Sequence, residues 1–218
     1  MVEHVYRRAA AARSVGGVIV ATDDQRIIDA VERFGGNVCL TKTTHQSGTD
    51  RIAELAEALE CPLIVNVQGD EPLIEPEDID VAVAPFADDP DLQMSTLRYR
   101  FRDESEALDP NNVKVVVDRN GYALYFSRAP IPTMKRSGIA PLYKHIGLYV
   151  YRREFLLRYA RLEATPLEQA ERLEQLRALE HGFRIKAVET RHDSIGVDSE
   201  ADLARVRHLV ARGQPIRV

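Results

Sequence analysis

The sequence predicts a mixed α/β fold with a mostly parallel sheet and helices on both of its faces. In the first half of the chain, continuous apolar runs of strand type alternate with segments of helical periodicity, which is typical of parallel sheets. In the second half, Asn120 and Gly121 separate two strand-like runs, the commonest signal for a tight antiparallel hairpin. We therefore expect antiparallel strands to be added to the sheet in the second half.

The first half contains three predicted helices, each followed by a predicted strand. Glycine pairs end the first two helices, because glycine readily adopts the conformation that terminates a helix. The predicted helices cover residues 2–13, 23–34 and 49–59, and the predicted strands cover 17–22 and 37–41 and begin again at 63. A polar loop over residues 42–48 precedes the third helix.

The second half has a less regular pattern. A helix ending at Val83 leads into an acidic, Pro-containing loop, and residues 93–100 alternate as a half-exposed strand would. Residues 128–142 hold three prolines and predict a long surface loop bordering a site. The remaining predicted elements are the hairpin strands 113–118 and 122–127, a strand over 144–151, helices over 153–160 and 166–181, a strand over 183–188, and a helix capped by Ser199 and ending at Ala211.

Length and composition predict one domain over residues 1–218, since 218 residues that are 44% hydrophobic can form one sizeable core. The formal charge of −5 offers no general basic surface for nucleic acid or an anionic membrane. No apolar run has the length of a membrane span and the N-terminus has no signal core, so we expect a cytosolic protein. Cys39 and Cys61 lack companions at ligand spacing, and we expect them to be buried free thiols.

The stretch LIVNVQGDEPLI, residues 63–74, is the strongest candidate for a functional site. An apolar strand stops at Gly69 and delivers Asp70 and Glu71 before Pro72. Ligands of parallel α/β sheets bind at the carboxyl edge, where this strand ends. Acidic residues at that edge predict a metal site, with Glu71 alternatively supporting only the loop.

The start of the third helix is a second candidate. Ser47, Gly48 and Arg51 lie where backbone donors and a guanidinium can meet nucleotide oxygens or a carboxylate. The alternative is an ordinary capped helix, with Ser47 or Thr49 as the cap. The residues alone leave both interpretations open.

Six ordered motifs together resemble the 3-deoxy-manno-octulosonate cytidylyltransferases, also called CMP-Kdo synthetases. The motifs are QGDEP from Gln68, HQSGTDR from His45, ALYFSR from Ala123, HIGLYVY from His145, LEQLR from Leu173 and GVD from Gly196. The resemblance implies a nucleotide-diphospho-sugar-transferase-like (Rossmann-like) fold. It also implies a cytosolic homodimer that uses Mg²⁺ and makes CMP-Kdo and pyrophosphate from CTP and 3-deoxy-D-manno-octulosonate (Kdo), for lipopolysaccharide biosynthesis.

The resemblance implies that Asp70 and Asp198 are catalytic carboxylates that bind the metal. Mg²⁺ prefers oxygen ligands and needs only one or two protein carboxylates when phosphate oxygens complete its shell. The alternative for each residue is a turn or helix cap. By the same resemblance Ser47, Arg51 and Gln68 contact nucleotide and sugar, although Gln68 could be a hydrogen-bonded core residue.

The resemblance also implies a pocket for the anionic sugar, formed by five residues. Their expected members are Arg128, His145, Tyr149, Glu174 and Gln175. Arg128 would pair with the sugar carboxylate, His145 and Tyr149 would line the pocket, and the last two would hold sugar hydroxyls. Alternatively, the His is structural, the Tyr belongs to the core, and Glu174 with Gln175 forms a solvated helix face.

The chain departs from the family pattern at its front. Family members begin with a strand and a glycine-bearing Arg/Lys loop that holds the triphosphate, and Met1 aligns after that loop. We expect a gap between residues 18–21 and 63–67, where the absent strand would lie. Either the start was placed at an internal Met or the chain is a truncated relative, and the gene sequence upstream of Met1 tests this.

The functional alternatives are a non-catalytic module that binds a sugar acid or nucleotide, a dimerising partner, and a CMP-sialate synthetase. Offering N-acetylneuraminate in place of Kdo separates the last of these from a CMP-Kdo synthetase. Calorimetry separates the binding module from the enzyme, because a module would bind Kdo without CTP turnover.

Overall fold

The computed structural model describes residues 1–45, 47–134, 139–197 and 199–211. The first half contains α1 (Val2–Ala11), β1 (Val20–Thr22), α2 (Gln25–Arg33), β2 (Val38–Leu40), α3 (Gly48–Ala58), β3 (Leu63–Asn66), α4 (Pro76–Val83), α5 (Pro85–Asp88) and β4 (Met94–Arg100). The second half contains a 3₁₀ helix (Glu104–Leu108), β5 (Lys114–Val117), β6 (Ala123–Ser127), β7 (Tyr143–Arg152), α6 (Arg153–Tyr159), α7 (Pro166–Glu171), α8 (Gln175–Glu180), β8 (Ile185–Thr190) and α9 (Glu200–Ala211).

The main sheet has six strands, with β7 at its centre. The strand order is β6-β5-β7-β4-β8, and β3 pairs with the second half of β7. β7 is antiparallel to β3, β4 and β5, while β8 is parallel to β4. Hence β3, β4, β5 and β8 share one direction, and β6 and β7 run the other way. This confirms the predicted mixed, mostly parallel sheet with antiparallel additions.

β1 and β2 form a separate two-stranded parallel sheet. Within the described residues, β1 pairs only with β2 and β3 pairs only with β7, so the two sheets are not joined by strand pairing. The expectation that β1 and β3 do not pair with each other is confirmed. That an additional strand belongs between them stays a prediction.

Helices cover both faces of the main sheet, as predicted. Tyr151 packs in a core cluster with residues of α3, α6 and α8, whereas its neighbour Val150 packs in a second cluster with residues of α1 and α4. Successive residues of a strand point to opposite faces, so the two clusters lie on opposite sides of the sheet. That residues 1–218 form a single domain stays a prediction.

β4 is more buried than its alternating sequence predicted. It lies between β7 and β8, and only Arg98 and Arg100 escape full burial. Its polar residues are accommodated by hydrogen bonds, since Ser95 Oγ donates to the carbonyl of Ala82 at 2.6 Å. The prediction of a half-exposed strand was wrong because alternating apolar and polar residues do not show whether a strand lies inside a sheet or at its edge.

Two further predictions, one of a helix and one of a loop, also required correction. Residues 166–181 form two helices, α7 and α8, because Arg172 adopts a left-handed conformation with φ of 55° between them. The acidic segment after α4 contains the short helix α5, with Pro85 in its first turn.

Two other local predictions are confirmed. The predicted hairpin is present, with Gly121 at a positive φ of 77°. Ser199 caps α9, because its Oγ accepts from the N–H of Asp202.

Both cysteines are free, as predicted, but neither is buried: Cys39 is exposed and Cys61 is partly exposed. Cys39 lies on β2, which belongs to the small sheet and presents Leu40 to solvent as well. None of the helices in the described part of the chain is long and apolar enough to cross a bilayer.

Candidate active site

The turn after β3 lies against the loop after β8. The N–H of Val197 donates to the carbonyl oxygen of Asp70 at 2.9 Å, and the hydroxyl of Ser194 donates to the carboxylate of Glu71. Burial raises the pKa of Glu71 above its ordinary value, and the charge of Asp70 acts in the same direction. Glu71 therefore supports the loop, the second role that the sequence suggested for it.

Lys144 connects the same loop to β7. Its Nζ lies 2.9 Å from Oδ1 of Asp193 and 2.9 Å from the carbonyl oxygen of Ser194. The loop is thus bonded both to the β3 turn and to the central strand. Asp198, the predicted second metal ligand, lies outside the described residues, but Val197 before it is bonded to Asp70.

At this edge the described residues offer the Asp70 carboxylate as a candidate oxygen ligand for Mg²⁺. Asp70 is partly exposed at the end of β3, whereas the neighbouring Glu71 carboxylate is directed to Ser194. Among the described residues there is no group of three or more His, Cys, Asp or Glu side chains that could hold a metal. Mg²⁺ does not require one, since one or two carboxylates and phosphate oxygens suffice.

The start of α3 contacts the start of α8 through a carboxylate. Ser47 Oγ donates to Glu174 Oε1 at 3.1 Å, and Thr49 Oγ1 donates to Glu174 Oε2 at 3.0 Å. Ser47 also caps α3, because its Oγ accepts from the N–H of Asp50. Burial raises the pKa of Glu174, although the two hydroxyl donors and Arg177 oppose this effect. The structure thus brings the predicted residues Ser47 and Glu174 into direct contact.

Gln175 carries a polar group that has no partner among the described residues. Its side chain is 4% exposed, and its buried Nε2 makes no hydrogen bond to them. The alternative interpretation, a solvated helix face, is therefore wrong for this residue. An unpaired buried amide costs about 1–3 kcal/mol, so a buried donor of this kind is suited to a ligand oxygen.

His145 and Tyr149 lie on β7 and form part of an aromatic row. The His145 ring is 4.9 Å from that of Phe126 and 5.5 Å from that of Tyr149, centroid to centroid. Burial lowers the pKa of His145 to about 3 and raises that of Tyr149 well above its ordinary value, so both rings are neutral at pH 7. Without a ligand, His145 therefore offers hydrogen bonding but no positive charge to this region.

Arg128 lies at the end of β6, where backbone oxygens orient its guanidinium. Nε donates to the carbonyl of Glu171 at 2.9 Å and Nη1 donates to that of Pro110 at 3.2 Å. The Arg128 N–H donates to the carboxylate of Glu171, which also accepts from Ser127 Oγ. Arg128 is thus held by two neighbouring segments at the mouth of the predicted surface loop.

Lys114 is a fully buried cation beside Arg128. Its Nζ donates to the carbonyl oxygens of Asp109 at 3.0 Å and Arg128 at 2.5 Å. Burial lowers its pKa, and the positive charge of Arg128 acts in the same direction, whereas the carboxylates of Asp109 and Glu171 oppose this effect. Two cations and two carboxylates thus lie close together in this region.

Arg51 and Gln68 have partners within the protein. Arg51 Nη2 pairs with Asp23 Oδ2 at 3.0 Å and Nη1 donates to Thr41 Oγ1 at 2.5 Å, so Arg51 connects α3 to the ends of β1 and β2. Gln68 Nε2 lies 3.5 Å from Asn66 Oδ1. Their ligand contacts stay predictions.

Sequence reasoning missed several residues that organise the site. They are Thr96, Lys114, Lys144, Glu171 and Ser194. Each of them forms a hydrogen bond with a residue distant in sequence, and the hydrophobic periodicity of the sequence does not predict such contacts. An unusual Lys in the apolar strand run KVVV was the one visible sign, since charged residues seldom occupy buried strands.

Comparisons with known proteins agree with this arrangement. The family model described as cytidylyltransferase matches residues 1–187. The chain is 53% identical to the 3-deoxy-manno-octulosonate cytidylyltransferase of Geobacter metallireducens, covering 98% of this chain and 89% of the relative. For the enzyme of the same name from Solibacter usitatus the identity is 54%, with 96% of this chain and 83% of the relative covered.

Solved structures give the same result. A CMP:2-keto-3-deoxy-manno-octonic acid synthetase complexed with CTP superposes with a TM-score of 0.93 at 42% identity, covering 98% of this chain and 88% of that one. The 4-diphosphocytidyl-2C-methyl-D-erythritol synthase of Anaerococcus prevotii matches with a TM-score of 0.63 at 13% identity, covering 97% and 89% of the two chains. The second likeness concerns the fold alone.

Proposed function

Because this chain belongs to the cytidylyltransferase family, and within it to the 3-deoxy-manno-octulosonate cytidylyltransferases, we propose that it makes CMP-Kdo and pyrophosphate from CTP and Kdo. The observation that carries this proposal is 53% identity to a curated relative of that name over 98% of the chain. The product would serve lipopolysaccharide biosynthesis. The cytosolic location and the homodimer remain part of the proposal and rest on the sequence resemblance.

In the proposed reaction the anomeric hydroxyl oxygen of Kdo attacks the α-phosphorus of CTP. One P–O bond forms, the bond to the bridging oxygen of the β-phosphate breaks, and pyrophosphate leaves while the hydroxyl proton is released. Such phosphoryl chemistry depends on positioning and charge neutralisation more than on a strong base. We accordingly assign no single general base.

Asp70 and Asp198 would hold Mg²⁺ at the carboxyl end of β3. When bound, the ion would neutralise charge on the phosphate oxygens. The contribution of the chain itself is to hold the Asp70 turn against the loop after β8, through the Val197, Ser194 and Lys144 hydrogen bonds.

The sugar would bind across the edge formed by β6, β7 and α8. Arg128 would pair with the Kdo carboxylate, in a region where Lys114 adds a second positive charge. The Nε2 of Gln175 would donate to a sugar oxygen, and the carboxylate of Glu174 would accept from sugar hydroxyls. Together these contacts would orient the anomeric hydroxyl for in-line attack.

The reaction is tested by incubating the chain with CTP, Kdo and MgCl₂ and following pyrophosphate release and CMP-Kdo formation by ³¹P NMR. We expect both products to appear with Kdo and neither when EDTA replaces MgCl₂. Parallel reactions contain N-acetylneuraminate instead of Kdo. Turnover of N-acetylneuraminate alone, or calorimetric binding of Kdo without turnover, would contradict the proposal. Analytical ultracentrifugation tests the dimer.

A further inference from the structure

β4 and β7 change register beside His145. Thr96 pairs with Tyr149 but the next residue, Leu97, pairs with Ile146, so two residues of β7 lie opposite the step between Thr96 and Leu97. Such irregularities leave backbone groups without their ladder partners and redirect side chains. Thr96, which is fully buried, lies at this step.

The hydroxyl of Thr96 has three polar neighbours. Oγ1 lies 2.8 Å from the carbonyl oxygen of Leu148, 3.1 Å from that of Ile146 and 2.9 Å from Nε2 of His145. A hydroxyl has one hydrogen to donate, and carbonyl oxygens can only accept. The hydrogen is therefore directed to the carbonyls, since turning it away would place the oxygen lone pairs of Thr96 against both of them.

This arrangement determines which nitrogen of His145 carries a hydrogen. With its own hydrogen directed to the carbonyls, Thr96 Oγ1 can only accept from Nε2, so Nε2 must be protonated. His145 is 8% exposed, and burial lowers its pKa to about 3, so the ring holds one hydrogen at pH 7. Nδ1 is then a lone-pair acceptor.

Space is available at Gly147, two residues after His145 on the same strand. Gly147 lies between His145 and Tyr149 on β7, and a Cβ at Gly147 would meet no atom within 4 Å. None of the hydrogen bonds formed by the described residues involves Nδ1 of His145. An acceptor without a partner among the described residues, on the same strand as this space, is suited to a ligand that brings a hydrogen-bond donor.

We propose that Thr96 is a positioning residue that holds His145 as the Nε2–H tautomer, so that Nδ1 accepts a hydrogen bond from a hydroxyl group of the bound sugar. The assignment of the ligand rests on the proposed function; the assignment of the tautomer does not. A carboxylate is excluded as the partner of Nδ1, because two acceptors would face each other. Two residues would then recognise different groups of the sugar: Arg128 pairs with its carboxylate, and His145 accepts a hydrogen bond from one of its hydroxyls.

The tautomer is tested by long-range ¹H–¹⁵N correlation spectra of ¹⁵N-labelled protein without ligand, with the His145 signals assigned by their loss in H145Q. We expect a protonated Nε2 and an unprotonated Nδ1 in the wild type and in T96S, which keeps the hydroxyl. T96V should lose this single tautomer. The S95A control removes a buried hydroxyl from the neighbouring residue and should leave the tautomer unchanged. A wild-type ring protonated at Nδ1 would overturn the inference, whether or not T96V folds.

The ligand is tested by titrating Kdo into the same samples and by steady-state kinetics. We expect Kdo to shift the Nδ1 resonance, and T96V to raise KM for Kdo about tenfold with KM for CTP unchanged, whereas T96S restores KM. An unshifted Nδ1 with Kdo bound would overturn the ligand assignment. If the spectra show the expected tautomer but Kdo neither binds nor turns over, the result would contradict the proposed function. It would then also contradict the assignment of a sugar hydroxyl as the ligand of Nδ1.

Discussion

The N–H of Val197 donates a 2.9 Å hydrogen bond to the carbonyl oxygen of Asp70. This bond joins the turn that ends β3 to the loop that follows β8. It is reinforced by the bond from Ser194 to Glu71. A backbone bond of Asp70 and a side-chain bond of its neighbour Glu71 thus hold the turn that carries the first carboxylate proposed for Mg²⁺, and neither bond uses the Asp70 carboxylate.

We expect D70N to lower kcat by about 100-fold or more, because the substitution removes a charged oxygen ligand for the proposed Mg²⁺. The measurement is pyrophosphate release as a function of Mg²⁺ concentration. D91N serves as the control, since Asp91 is an exposed loop residue, and it should retain wild-type rates. A D70N enzyme with an unchanged Mg²⁺ dependence would contradict the role of Asp70.

R128K should raise KM for Kdo by about 10–100-fold, since an ammonium cannot reproduce the planar guanidinium donors that a carboxylate accepts. KM for CTP should change much less. Steady-state kinetics with each substrate varied in turn measures both values. R119K, at the exposed hairpin, is the matched control and should leave both unchanged. Equal loss for the two substrates would argue against a carboxylate partner.

Q175M should separate stability from binding. Methionine has a similar volume and removes the buried Nε2 that has no partner among the described residues, so the free energy of unfolding should rise by about 1 kcal/mol. KM for Kdo should rise at the same time. Urea unfolding and kinetics measure the two effects, with Q169M on exposed α7 as the control. A destabilised Q175M with unchanged KM would show that Gln175 is structural.

H145Q should reduce the loss of stability in acid. The pKa of the His145 ring falls from 6.5 to about 3 on folding, so between these values the unfolded state binds more protons and stability decreases as pH falls. From pH 7.5 to 5.0 this single group removes about 2 kcal/mol from the wild type. Urea unfolding at both pH values should show a smaller decrease in H145Q, and a wild-type decrease in the exposed control H208Q. Equal decreases in all three would contradict a buried neutral His145.

Much of the fold was predictable because local periodicity and turn residues report it directly. Asn120 and Gly121 predicted the hairpin, and the motif around Asp70 predicted where β3 delivers its carboxylate. Burial was predicted less well. β4 is largely buried although its apolar and polar residues alternate, and Cys39 is exposed although it is apolar. The reason is that burial depends on neighbours from distant segments of the chain.

The sequence by itself determined the family, the order of most helices and strands, and a set of candidate residues, because these follow from motifs and from local hydrophobic periodicity. The tertiary structure decided which candidates meet. It placed Glu174 against Ser47, Lys114 against Arg128 and Thr96 against His145, pairs that no spacing along the chain reveals. The physical reason is that hydrogen bonds and burial act over a few ångströms in space, so the protonation state of His145 depends on residues that only folding brings beside it.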